Sequence, residues 1–116
     1  MSTLIVIDQP PYGSWAGREA LDMAFSLAAF DQSVSLLFTG AGVNWLRTYQ
    51  DTQEIQQKSV ERNLAAASVF GVEAIYADEA ASRLYRLMPD NTMAGVTVIK
   101  DRAALLRQHS HVAFAG

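Results

Sequence analysis

Leu4-Ile5-Val6-Ile7 is an unbroken apolar run, the pattern of a strand buried on both faces rather than one that alternates core and solvent. Such a strand needs a layer above and a layer below it, which restricts the chain to sheets covered by helices on both sides. Further short strands are expected at Val34 to Phe38, Val72 to Tyr76, Gly95 to Ile99 and His111 to Ala115. The segments between them are long enough for the helical crossovers that parallel strands require. The expected fold is therefore α/β, a single three-layer α/β/α domain over residues 1–116 with a five-stranded, mostly parallel sheet and flavodoxin-like architecture. Alternation alone leaves the strand order open.

The crossovers carry their own signals. From about Ser14 to Phe30, Leu21, Ala24, Phe25 and Ala28 share one side of a helix, while Arg18, Asp22 and Ser26 fall on the other. Asp51-Thr52-Gln53-Glu54 reads as a capping box that opens a long helix, with a Glu54 to Lys58 pair on it. That helix would bury Val60, Leu64 and Ala67 and stop at Gly71. Asp78 is the expected N-cap of a short helix through about Leu87, Pro89-Asp90-Asn91 a loop, and Asp101 the N-cap of a final short helix.

The first strand runs directly into Pro10-Pro11-Tyr12-Gly13-Ser14-Trp15, a turn at a strand's carboxyl end, where open α/β sheets usually place their sites. That turn contains no Cys or His. Cysteine is absent from all 116 residues, so disulfides, thiolate metal ligands and any covalently carried sulfur on this chain are excluded. The 9 basic and 12 acidic side chains give a net charge of -3 with no run of like sign, which does not suit a nucleic-acid surface. Charged residues are 18% of the chain and apolar ones 50%; against about 25% charged in a typical soluble domain, this suits a subunit that hides surface in an assembly. No basic leader and no long apolar span are visible, so a cytoplasmic protein is expected.

Several residues have two readings. Arg18 and Glu19 could orient an anion, or form a solvated helix face with an Arg18 to Asp22 pair. Gly40-Ala41-Gly42 has the outline of a dinucleotide loop, but Trp45 stands where its third glycine belongs, and a tight turn suffices. Asp8 reads as a turn-capping residue. His109 and His111 would make an incomplete zinc site, since zinc normally takes three or four protein ligands. No nucleophile and base, catalytic carboxylate pair or Walker loop can be assembled. Neither catalysis, a cofactor nor a metal is expected.

Pro11-Tyr12-Gly13, Arg18-Glu19-Ala20-Leu21-Asp22, Ala29-Phe30-Asp31-Gln32, Leu36-Leu37-Phe38, Gly42-Val43 with Leu46, Gln57-Lys58 and Phe70-Gly71-Val72-Glu73 occur in the order and spacing of a known family. In these residues the chain resembles the DsrE/DsrF-like sulfur-relay family, and within it the TusC/DsrF branch. It departs from that branch at Gly40-Ala41, where relatives carry an acidic pair, and at Arg47-Thr48-Tyr49-Gln50, where Leu-Pro-Gly-Gln is usual.

The resemblance implies a non-catalytic subunit that assembles with TusB/DsrH-like and TusD/DsrE-like sisters, as a heterohexamer. That complex would relay persulfide sulfur toward 2-thiouridine at the tRNA wobble position. A DsrF-like subunit of a sulfur-oxidation complex and a small-ligand-binding flavodoxin-like module are the alternatives, and a homo-oligomer is possible in isolation. For an assembling subunit, Tyr12, Gly13, Trp15, Arg18, Gly42, Val43, Trp45 and Leu46 are the candidate partner-interface residues. Tyr12 and Trp15 could equally form a lid within the subunit.

Overall fold

The computed structural model describes residues 2–10, 16–29, 33–47 and 71–115, excluding the side chains of 16–18 and 115. Five strands form one sheet: β1 (Ser2–Ile7), β2 (Ser33–Phe38), β3 (Ala74–Asp78), β4 (Val96–Ile99) and β5 (His111–Ala115). Their order is β4-β3-β2-β1-β5, and every neighbouring pair is parallel. Strands β2 to β4 are added successively on one side of β1 and β5 on the other, so the order reverses between β1 and β5.

The helices are α1 (Ala16–Ala29), α2 (Glu79–Leu84) and α3 (Arg102–Arg107), and a 3₁₀ segment spans Gly40–Leu46. Ile5, Ile7, Val34, Leu36, Phe38 and Ala77 line one face of the sheet and pack on α1, the 3₁₀ segment and α2 through Leu21, Ala24, Trp45, Leu46 and Ala81. Leu4, Val6 and Leu37 line the opposite face and pack on α3 through Leu105. The unbroken apolar run in β1 thus supplies both cores from successive residues, as the period of two demands. Leu21 and Ala24 are buried on α1 and Asp22 and Ser26 exposed, as the helical spacing implies.

Three boundaries differ from those expected. Strand β3 runs two residues later than the apolar run suggested, through Asp78, whose backbone is extended while its side chain accepts from Ala81 N and caps α2. One residue closes the strand and opens the helix. Glu73 already donates its N–H to Val34 O at 2.8 Å, so the chain docks on β2 before the ladder begins.

Helix α2 stops at Leu84 rather than Leu87 because Arg86 turns left-handed, with φ 57°. Leu87 N–H then reaches back to Ser82 O at 2.8 Å and Arg86 N–H to Arg83 O at 3.1 Å, the paired bonds of a Schellman end. Strand β4 begins at Val96 because Gly95, at φ 87°, breaks the extended run. Asp101 caps α3 as expected, accepting from Ala104 N at 3.0 Å. The long helix expected from Asp51, with Glu54 to Lys58 and Val60, Leu64 and Ala67, lies outside the described residues.

Candidate functional site

The carboxyl end of β1 and β2 brings together the elements around which the sequence placed its candidates. Thr39 N–H donates to Ile7 O at 3.1 Å, which holds the tip of β2 against that of β1. Gly40 has φ 52°, a left-handed turn that suits glycine, and Gly42 N–H donates back to Thr39 O at 2.9 Å to start the 3₁₀ segment. Gly42 has a second reason to be glycine: a Cβ there would overlap the Ile7 carbonyl oxygen and lie 2.7 Å from its carbon. The glycine pair is explained by a tight turn and a close backbone approach, with no phosphate cradle required.

The 3₁₀ segment closes over β1. Trp45 is only 1% exposed, and its indole Nε1–H donates to Gln9 O at 2.8 Å. The ring fills the core while its one polar atom fixes the backbone leaving β1. Val43 and Leu46 are fully buried beside it. Asn44 Nδ2 donates to Ala41 O at 3.0 Å, bracing the turn.

Arg47, which stands where the branch pattern carries proline, makes two contacts that proline could not. Its Nη2 donates to Asn44 Oδ1 at 3.1 Å and to Tyr85 O at 2.6 Å, at the end of α2. Met93 N–H donates to Leu46 O at 2.9 Å, and Arg47 bridges to Thr92. The divergent loop is thereby fastened to α2 and to the turn after it.

The placement of the candidates is uneven. Tyr12, Gly13 and Trp15 lie outside the described residues, as does the Arg18 side chain. Gly42, Val43, Trp45 and Leu46 are buried within the chain, so their side chains support the loop from beneath rather than face a partner. An aromatic residue after a glycine turn reads as exposed only if nothing folds back on it. Here the 3₁₀ turn rotates Trp45 inward onto β1.

A polar group at the other strand tips was not singled out from the sequence. Arg102 Nη1 donates to Thr39 Oγ1 at 3.0 Å, and Thr39 Oγ1 makes a long donor contact of 3.5 Å to Asp78 Oδ2. Thr39 is itself buried. These side chains tie the start of α3 to β2 and β3. Their positions, one residue beyond a strand and at a helix start, were the available signal.

The two histidines do not converge. His109 is half-buried with Nδ1 2.9 Å from Leu105 O, which requires the proton on Nδ1, whereas His111 is exposed at the start of β5. Asp8 is exposed. Among the described residues no three His, Asp or Glu side chains gather as a metal site. No described helix is long and apolar enough to cross a membrane. Chemically, the arrangement offers a fixed scaffold for the loop after β1, with neither nucleophile nor general base beside it. In the flavodoxin order the ligand crevice opens between β1 and β3; here β3 adjoins β2, and the reversal falls between β1 and β5.

Comparison with known proteins adds the following. The DsrE/DsrF-like family matches residues 1–111. Over 113 residues the chain is 34% identical to the protein TusC homolog of Pseudomonas aeruginosa, covering 96% of this chain and 95% of that one. Over 68 residues it is 38% identical to the intracellular sulfur oxidation protein DsrF of Allochromatium vinosum, covering 59% of this chain and 50% of that one. The solved structure of the ychN protein from E. coli superposes with a TM-score of 0.71 and 16% identity, covering 98% of this chain and 99% of that one, a likeness of fold.

Proposed function

We propose a function from one premise: the chain belongs to the DsrE/DsrF-like family. It is a structural, non-catalytic subunit, one domain over residues 1–116, of a cytoplasmic sulfur-transfer complex of the TusBCD kind. Its sisters are TusB/DsrH-like and TusD/DsrE-like chains, and the complex relays persulfide sulfur toward 2-thiouridine in tRNA. The observation that carries this reading is the match to the TusC homolog along nearly the whole of both chains. The absence of cysteine from the sequence supports a division of labour in which a sister carries the sulfur. The DsrF match favours a second reading, sulfur oxidation by a similar complex, but extends over only part of each chain.

On this reading the loop after β1 meets a sister subunit through Tyr12, Gly13, Trp15 and Arg18. Gly42, Val43, Trp45 and Leu46 form the buried support that holds it in place. The test is to incubate the purified complex with a small persulfide donor and weigh each chain. A cysteine-bearing sister should gain sulfur while this chain keeps its mass. Sulfur acceptance or substrate turnover by this chain alone would overturn the assignment. Measuring 2-thiouridine in tRNA after deletion separates the readings: loss supports tRNA thiolation, and an unchanged level favours sulfur oxidation.

A further inference from the structure

β4 lies at the edge of the sheet, and its outward peptide groups have no strand partner among the described residues. Beside it, on the α2 face, is an open pocket of about 280 Å³ bounded by Ser82, Leu87, Met88, Met93, Val96 and Val98. Two of these are strongly exposed for apolar side chains, Met88 at 57% and Val98 at 53%. At the start of the strand a Cβ on Gly95 would meet nothing within 4 Å, so the approach to the edge is open. An extended segment paired with β4 would point alternate side chains toward this pocket, the arrangement of strand addition.

Charge indicates what kind of segment. Five of the chain's 9 Lys and Arg residues, Arg83, Arg86, Lys100, Arg102 and Arg107, fall within residues 79–116, against three of its 12 carboxylates, Glu79, Asp90 and Asp101. The chain is acidic as a whole, yet the part that builds this edge is basic. Two of those three carboxylates are engaged: Glu79 pairs with Arg83 at 2.8 Å and Asp101 caps α3. Arg86 adjoins the turn that lines the pocket, Lys100 follows β4 directly, and neither has an ion pair among the described residues.

We propose that the β4 edge and its pocket form a docking groove for an extended segment of a partner protein, apolar at alternate positions and acidic between them. The groove stands independently of the sulfur-relay reading. A second copy of this chain fits poorly through its own edges. Residues 102–116, which include the other edge strand β5, contain no carboxylate, and a second β4 would bring cations against cations. A lysine beside an edge strand also discourages unselective pairing, so the same residue can admit an acidic strand and refuse others.

The test uses the full chain and two fluorescent peptides, one alternating Val with Glu and the other Val with Lys, read by anisotropy and by amide hydrogen exchange. The acidic peptide should bind at least about tenfold more tightly than the basic one and slow exchange at Val96 to Ile99. Val98→Asp should weaken it at least about tenfold, and Lys100→Glu several-fold with a shallower salt dependence. Both positions are exposed, so both variants should fold. The proposal fails if the acidic peptide does not bind up to about 1 mM. It also fails if binding survives Val98→Asp, if protection appears at β5 instead, or if the chain dimerises through β4.

Discussion

The 3₁₀ segment Gly40–Leu46 and the stretch from α2 to β4 border one another, yet they use apolar residues in opposite ways. The first holds a tryptophan, the residue type most associated with interfaces, and buries it to 1% exposure with its N–H satisfied by Gln9 O. The second has no tryptophan but leaves Leu84 74%, Met88 57% and Val98 53% exposed. Residue type did not decide exposure. Position relative to the sheet did, because the 3₁₀ segment folds back over the buried strands β1 and β2, whereas β4 has a neighbour on one side only.

The contrast is sharpest at Trp45. Trp45→Ala should cost about 3 to 5 kcal/mol of stability by denaturant unfolding, because it empties a large core site and leaves the Gln9 carbonyl without its donor. A loss below about 1 kcal/mol would mean that the ring is not a core residue. Gly42→Ala tests the close approach to Ile7 and should cost about 3 kcal/mol, the upper end for overpacking, because the added Cβ meets backbone that cannot swing aside.

On the other side of the comparison the effects are smaller. Arg86→Gly should stabilise the chain by about 0.5 to 1 kcal/mol, since glycine occupies the left-handed Schellman position without a Cβ clash. A destabilised variant would show that the Arg86 side chain makes a contact worth more than that strain. Leu84→Ser should change the unfolding free energy by no more than about 0.5 kcal/mol, as expected of a side chain that is already in water. A larger loss would move α2 into the core and weaken the distinction between the two regions.

Much of this architecture was legible in the sequence, and the reasons can be traced to particular residues. Leu4 to Ile7 required two covered faces, and β1 feeds both cores. The local capping chemistry of Asp78 and Asp101 located the starts of α2 and α3. The end of α2 was not legible, because it rests on a non-glycine residue in a left-handed conformation that sequence preferences do not favour.

The candidate site was less legible. Gly42, Val43, Trp45 and Leu46 were recognised as belonging together, but whether they faced outward depended on the path of the 3₁₀ turn, and their partner Gln9 is 36 residues from Trp45 in the chain. Arg47 and Thr39 went unnoticed because each acts through a group distant in sequence, Tyr85 O and Arg102 respectively. The exposed apolar residues of the β4 edge were hidden by a strand order that alternation leaves open.

The central claim is that this chain works as one subunit of a mixed assembly. The most direct measurement is affinity purification of the tagged chain from its native cell, followed by native mass determination of the intact species. The account predicts stoichiometric recovery with two small related chains, at least one bearing cysteine. Recovery of the chain by itself, as a monomer or a homo-oligomer, would contradict it.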